Sequence, residues 1–480
     1  MNTYIFAPQA KSFLIKGFLV GLVLFVIGIA CKWNAGSEEH GHDDHHAAVK
    51  TELLLAEAAV APDAESAEVV TTAAEGNHSA EAHVTDAHPV ADAHAKDAHA
   101  VEAHDNHDAH ADEHHGPTLR THIIGNVYAV ILFAFWVGVA ALFFLSGSTL
   151  ALGGWQIQIQ KIVLAIAGTL PFSIILLAIF FALFNHDLFH WTHESLYEEG
   201  TATYDSILAS KHDYLNMTRF WIFAVLLFGL TLGLYYMWKK NLNEMDENPS
   251  VKLFDKSRGI AAASIVIIAM VINTFGSWDW AMSVQPHWYS TMFSWYLMAS
   301  AAVTMFSILF LIIIYLKRNN YLPRVNENHR HDVAKFMFAI SVFWTYVWFS
   351  QFMLIWYANI PEETLYFTKR MDGYPVLFYL TIVINFIIPF LTLIKRDTKR
   401  NIIPVVVMAL FIIVGHWLDF FSMIVPELIP SGGGFSLIGV GAFVAVSSIF
   451  AYITLSTLSK FKDLESSTHP YIKESYHHQI

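Results

Sequence analysis

The chain has 480 residues, of which 55% are hydrophobic and only 14% charged, with a mean hydropathy of +0.43. A soluble domain this apolar would aggregate, so the composition indicates an integral membrane protein. The net charge of −13 argues against nucleic acid as a partner, and the single cysteine excludes a disulfide framework and any all-cysteine iron–sulfur or zinc site.

The first predicted membrane helix covers about 12–31, within an N-terminal segment 1–33. Lys11 and Lys16 resemble the n-region of a signal peptide, but the apolar run is longer than an ordinary h-region, so it reads as a span. The Gly-Ile-Ala before Cys31 matches a lipidation motif only loosely.

Residues 34–118 are Ala, His, Asp and Glu in repeated DAHA-like units and hold 14 of the 26 histidines. Such a segment lacks the aromatic surface needed to offset chain entropy, so it reads as a disordered loop. Its imidazoles could capture metal transiently. The irregular spacing and the absence of a second fixed ligand class favour a solvated spacer over a structural zinc site.

Residues 119–460 read as an all-α membrane domain, followed by a short tail, 461–480. Its nine spans fall near 122–146, 160–184, 218–238, 259–276, 291–316, 335–358, 374–394, 402–423 and 435–458, each about the 20 residues a bilayer requires. Lys and Arg concentrate in KKNLNEMDENPSVKLFDKSR, KRNNYLPRVNENHRHDVAK and KRDTKRN, which places those segments and both termini in the cytoplasm. The His-rich loop is then on the outer, periplasmic side.

A charge inside a span costs several kcal/mol unless paired or hydrated, so polar residues there are functional candidates. His416 and Asp419 lie three apart on the ninth span, hence on one helix face. Such a pair can pass a proton or hydrogen-bond a ring oxygen. Asn385 sits deeper, in the eighth span, above Pro389, which frees a backbone carbonyl. Asn273 and Gln351 lie in the outer parts of spans five and seven; His186 and Asp187 end span three, ahead of His190 and His193. No strong acid is expected in the inner half of any span. Asp279 and His287 stand in FGSWDWAMSVQPHWYSTMF, whose aromatic residues suit a membrane interface and whose polar residues suggest a pocket beneath it. The aromatic stripe of FWTYVWFSQFMLIWYANIP reads as packing and interface anchoring. Only His416 lies well inside a span, so no haem is expected in this chain, and no phosphate loop, nucleophile elbow or HExxH motif is present.

Three stretches in order, SWDWAMSVQPHWYSTMF, WFSQFMLIWYANIPEET and NFIIPFLTLIKRDTKR, resemble the ActF-type subunit of bacterial alternative complex III, in the polysulfide reductase-type, NrfD-like membrane family. The resemblance covers about 122–460. It implies two four-helix bundles plus flanking helices, in the bacterial inner membrane. It implies a subunit of a quinol:cytochrome c oxidoreductase, with menaquinol or another quinol as the reductant. The implied partners are a sister NrfD-like subunit, an iron–sulfur subunit and haem c subunits, with a terminal oxidase as a further candidate and lipids around them. The haem c and iron–sulfur clusters belong to those partners. In the sister subunit a His and acids near the outer face form the quinol pocket. The corresponding candidates here are His186, Asp187, Asp279, His287 and Gln351, while His416, Asp419 and Asn385 are candidates for proton transfer. Adjacent residues on a helix point about 100° apart, so His186 and Asp187 do not share a face, and a supporting, proton-conducting role is favoured over the main quinol site. The competing readings are a divalent-metal transporter with a His-rich outer loop and a structural assembly subunit without chemistry.

Overall fold

A computed structural model describes residues 4–58, 118–201, 203–465 and 469–476, with backbone alone over 34–58. All of its regular elements are helical, with no strand among the described residues. By its contacts the chain divides into two units, one of Met1–Trp33 with His115–Ile480, the other Asn34–His114. Helix α1, Pro8–Ala58, carries its apolar span in Pro8–Trp33 and continues as helix into the His-rich segment. The expectation of disorder over 59–117 lies outside the described residues.

Ten helices among the described residues are long and apolar enough to cross a membrane, so this is a multi-pass membrane protein. After α1 come α2 (Leu119–Leu150), α3 (Gln160–Leu188), α4 (Met217–Glu247), α5 (Val251–Val284), α6 (Met292–Arg318), α7 (Glu327–Ala358), α8 (Pro375–Leu393), α9 (Ile402–Leu428) and α10 (Leu437–Leu458). Several outrun the expected spans at their polar ends. Thus α4 extends to Glu247, and α7 begins at a capping box in which Asn326 and His329 satisfy each other's backbone N–H groups.

Helices α2–α5 form one four-helix bundle and α6–α9 a second. Helix α2 is apolar all round, is buried along nearly its whole length, and packs against α6 and α9 to join the bundles. Helix α10 lies against α2 and α3. Helix α1 reaches the body through α10, where small residues let two backbones touch: a Cβ at Gly21 would meet the Ala445 nitrogen at 2.5 Å, and one at Gly441 the Phe25 nitrogen at 2.3 Å.

Alternation of spans puts Tyr4, the connections 151–159, 248–250, 319–326 and 394–401, and residues 459–465 and 469–476 on one face, here the tail face. The connections 189–201 with 203–216, 285–291, 359–374 and 429–436 lie on the opposite loop face. The Trp-rich segment after Asn273 does not float at the surface as its composition suggested. Trp280 and Trp288 are buried, Trp280 against Phe135, Phe181 and Phe228, so the segment plugs the loop-face end of the bundles.

Candidate functional site

The i, i+3 spacing on α9 places His416 and Asp419 side by side, facing α6 and α7 with 0% and 1% exposure. Every polar atom around them comes from a neighbouring helix. His416 Nδ1 lies 2.8 Å from the Ser300 hydroxyl and 3.6 Å from Asp419 Oδ2. The Trp344 indole donates to Asp419 Oδ2 at 2.8 Å, and the Tyr296 hydroxyl donates to Oδ1. The indole also stands edge-on to the His416 ring, with centroids 5.2 Å apart. Both carboxylate oxygens are therefore satisfied by neutral donors, while His416 Nε2 has no protein partner. In low dielectric such a pair can hold one proton on either member.

Asn385 meets α9 one residue earlier. Its side-chain amide donates to the Gly415 carbonyl at 3.1 Å, and its Oδ1 has no donor. A Cβ at position 415 would stand 2.0 Å from that oxygen, so glycine is what allows α8 and α9 to touch here. Pro389 cannot bond to the Asn385 carbonyl four residues back, and α8 adjusts with a π-helical turn, Val383–Ile387.

From Asp419 the polar groups continue toward the loop face. A cavity of about 10 Å³, bordered by Tyr296, Gln351, Tyr366, Arg370, Asp419 and Ser422, has room for about one water. Beyond it, Arg370 is 2% exposed and lies 3.4 Å over the Tyr366 ring. It donates to the Ser422 and Met423 carbonyls at 2.9 and 3.1 Å and pairs with Glu427 at 2.7 Å. Glu427 also pairs at 3.0 Å with Lys369, which is 21% exposed. Burial pushes the Tyr366 hydroxyl up to about 12 despite the Arg370 charge, so it stays protonated at neutral pH. The result is a thread of polar groups from mid-helix His416 to the edge of the loop face.

The first bundle is built otherwise. Asp279 is 2% exposed, and its Oδ1 accepts from Tyr214 at 2.9 Å and from the Arg219 guanidinium at 3.0 Å; Oδ2 has no partner. Arg219 is held in place by the Tyr214 and Phe223 rings, 3.5 and 4.3 Å away. Beside this pair is a pocket of about 240 Å³, walled mainly by Tyr214, Trp278, Met282, Trp288 and Tyr289. His287 bonds to Asp205, which caps the helix Ser206–Ser210, and Lys211 donates to the Pro286 and His287 carbonyls at 2.7 and 3.1 Å. Burial pulls Lys211 down, with Asp205 resisting. Burial raises Asp205, but hydrogen bonds from His287 and the Ile207 and Leu208 amides outweigh it and leave the carboxyl below its ordinary value. Gln351 donates to Ser290, which lines the same pocket, at 2.9 Å.

No quinol-pocket candidate lines this pocket, but three of the five adjoin its walls: Asp279 and Gln351 bond to the lining residues Tyr214 and Ser290, and His287 stands between the lining residues Pro286 and Trp288. His186 and Asp187 do not. His186 is exposed and bonds to Thr192 at 2.9 Å, and Asp187 pairs with exposed Arg120 at 2.8 Å. His190 and His193 are exposed beside them. Asn273 follows a π-helical turn, Ile267–Ile272, and is fully buried with neither amide atom partnered. Among the described residues no group of three or more His, Cys, Asp or Glu is arranged to hold a metal ion.

Sequence reasoning missed Tyr296, Ser300 and Trp344. The signal for the first two was present: Tyr296, Ser300, Thr304 and Ser307 recur at helical spacing in an otherwise apolar span, which marks one inward-facing stripe. Trp344 was read as packing, and nothing in its neighbours distinguishes a donor from an anchor. An acid does lie beyond the tail-face end of the fourth predicted span. Asp246 sits in the last turn of α4 and pairs at 2.7 Å with Lys161, which is 1% exposed. The shorter predicted span had left Asp246 in a loop. No family model matches this chain, and no curated protein matches it.

Proposed function

We propose that this chain is a haem-free integral membrane subunit of a respiratory quinol-oxidising complex, and that its second bundle carries protons released on the quinol side. The observation that carries this reading is the buried pair His416–Asp419, held by neutral donors only and continued through a water-sized cavity to Arg370, Glu427 and Lys369. Oxidation of a quinol yields a quinone, two electrons and two protons. The electrons pass to iron–sulfur and haem c groups in partner subunits, as the resemblance to the NrfD-like family implies. The protons need titratable groups and water, which the thread supplies.

In this reading the basic tail face is cytoplasmic, the loop face is periplasmic, and a sister membrane subunit packs beside this one. The pocket walled by Tyr214, Trp278, Trp288 and Tyr289, behind which Asp279, His287 and Gln351 stand, supports the quinol side: its aromatic walls suit a planar ring, and its rim offers hydroxyl groups. To test the reading, the chain is purified from its native membranes with its neighbours. We expect co-purification of haem c and iron–sulfur subunits and quinol:acceptor activity that is lost when the gene is deleted. Isolation without redox partners, with quinol oxidation by the deleted membranes intact, would falsify the assignment.

A further inference from the structure

A second cavity, of about 440 Å³, opens between the tail-face halves of α1, α2, α6, α9 and α10. Its walls are apolar, with Phe13, Val137, Ile312, Ile413 and Phe450 among them, and no charged side chain lines it. The gap follows from how α1 is attached. Glycines 17, 21 and 28 press it against Ser448, Ala445 and Ile438 of α10, and at its start Tyr4 packs on Tyr321 and Phe6 on Tyr452. Between those two fixings, Ala10–Leu14 stands off from the bundles. A dry space of this size at membrane depth will not hold water, and hydrocarbon is the solvent that reaches it. Lys11 and Lys16 are exposed outside the cavity, about 140° apart around α1 on the two flanks of the face formed by Ala10, Phe13 and Leu14, and the Lys11 ammonium lies 5.2 Å over the Phe6 ring. Neither has an acid partner among the described residues.

We propose that this cavity binds one acyl chain of an anionic phospholipid, whose phosphate is held by Lys11 and Lys16. The chain fills the space that the helices leave, and the two ammonium groups select the headgroup. The lipid then acts as a wedge that fixes α1 to the bundles. This inference is independent of any role in quinol oxidation.

The test uses the full protein in phosphatidylcholine vesicles with spin-labelled phosphatidylglycerol or spin-labelled phosphatidylcholine, alongside native mass spectrometry of the purified protein. We expect a tightly held phosphatidylglycerol that Ala451→Phe or Val446→Phe, each filling the cavity, removes while yield is kept. Lys11→Gln and Lys16→Gln are each expected to weaken retention about fivefold, and together to erase the preference over phosphatidylcholine. Three results would overturn the proposal: equal retention in the cavity-filling variants, a headgroup preference unchanged by the lysine substitutions, or recovery of quinone with no phospholipid from the site. Should one filling variant misfold, the other and the lysine pair still decide it.

Discussion

Both bundles bury an aspartate in the half nearer the loop face, and they compensate it in opposite ways. Asp279 in the first bundle meets a guanidinium that is itself clamped between two aromatic rings. Asp419 in the second meets a phenol, an indole and an imidazole. A carboxylate paired with a fixed positive charge acts as a strut, because removing either partner strands the other. The groups around Asp419 bring no fixed charge, and the His416 imidazole stands 3.6 Å from its Oδ2. In the proposed function this difference makes Asp279 a structural acid and Asp419 a proton carrier, although burial alone, at 2% and 1%, does not distinguish them.

The sharpest break of this comparison is a matched pair of substitutions in the intact complex. Asp419→Asn keeps the volume and a hydrogen-bond acceptor but cannot carry the proton. We expect quinol turnover to fall about 10²-fold with assembly preserved, as loss of a positioned acid–base group typically does. Asp279→Asn should leave turnover within about twofold and instead lower thermal stability, by about 1–3 kcal/mol, because Arg219 loses its counter-ion. Next in size is Glu427→Gln, which strands Arg370 at 2% exposure; a loss of about 3 kcal/mol is expected, read as complex yield and melting temperature. Tyr296→Phe removes the only donor to Asp419 Oδ1 among the described residues and should cost about 1–3 kcal/mol of stability together with about tenfold in turnover. The corresponding change in the first bundle, Tyr214→Phe, leaves Arg219 in place on Asp279 and should cost less than about 1 kcal/mol.

Glycine offers a steric version of the same comparison. Gly415→Ala drives a methyl group into Asn385 and should separate α8 from α9 beside His416, with loss of turnover and a lowered melting temperature. Gly229→Ala, in the first bundle, meets nothing within 4 Å and should be neutral or slightly stabilising.

The smallest effect concerns pH. Asp205 is held below its ordinary value of 3.8, so its contribution to the 205–210 turn is complete above the carboxylate range and is lost only as pH falls through that lowered value. Protease susceptibility of this turn should therefore stay constant from neutral pH down to the carboxylate range and rise only below it. A rise already near neutral pH would show that Asp205 is not what secures the turn.

Much of this architecture was written in hydropathy, because a span must be long and apolar to satisfy its backbone in lipid. All ten helices fall where the apolar runs place them, with errors at the polar ends, where capped turns continue past the hydrophobic stretch. The pair His416–Asp419 was also legible, since it stands three apart in an apolar helix. What it touches was not. Tyr296, Ser300 and Trp344 come from two other helices, and which faces meet is set by packing of bundles rather than by any local pattern. Asp279 looked like a pocket residue because its counter-ion Arg219 lies 60 positions away in sequence. His186 and Asp187 looked promising because they end a span, yet a helix end at the loop face leaves them among surface groups.

The rate of proton release during quinol oxidation, measured in vesicles holding the intact complex, tests the distinction between the two aspartates most directly. We expect Asp279→Asn to match the wild type and Asp419→Asn to slow proton release and quinol turnover together by about 10²-fold, with two protons still released for each quinol oxidised. Wild-type rates of release and turnover in Asp419→Asn would contradict a proton-carrying role for the second bundle.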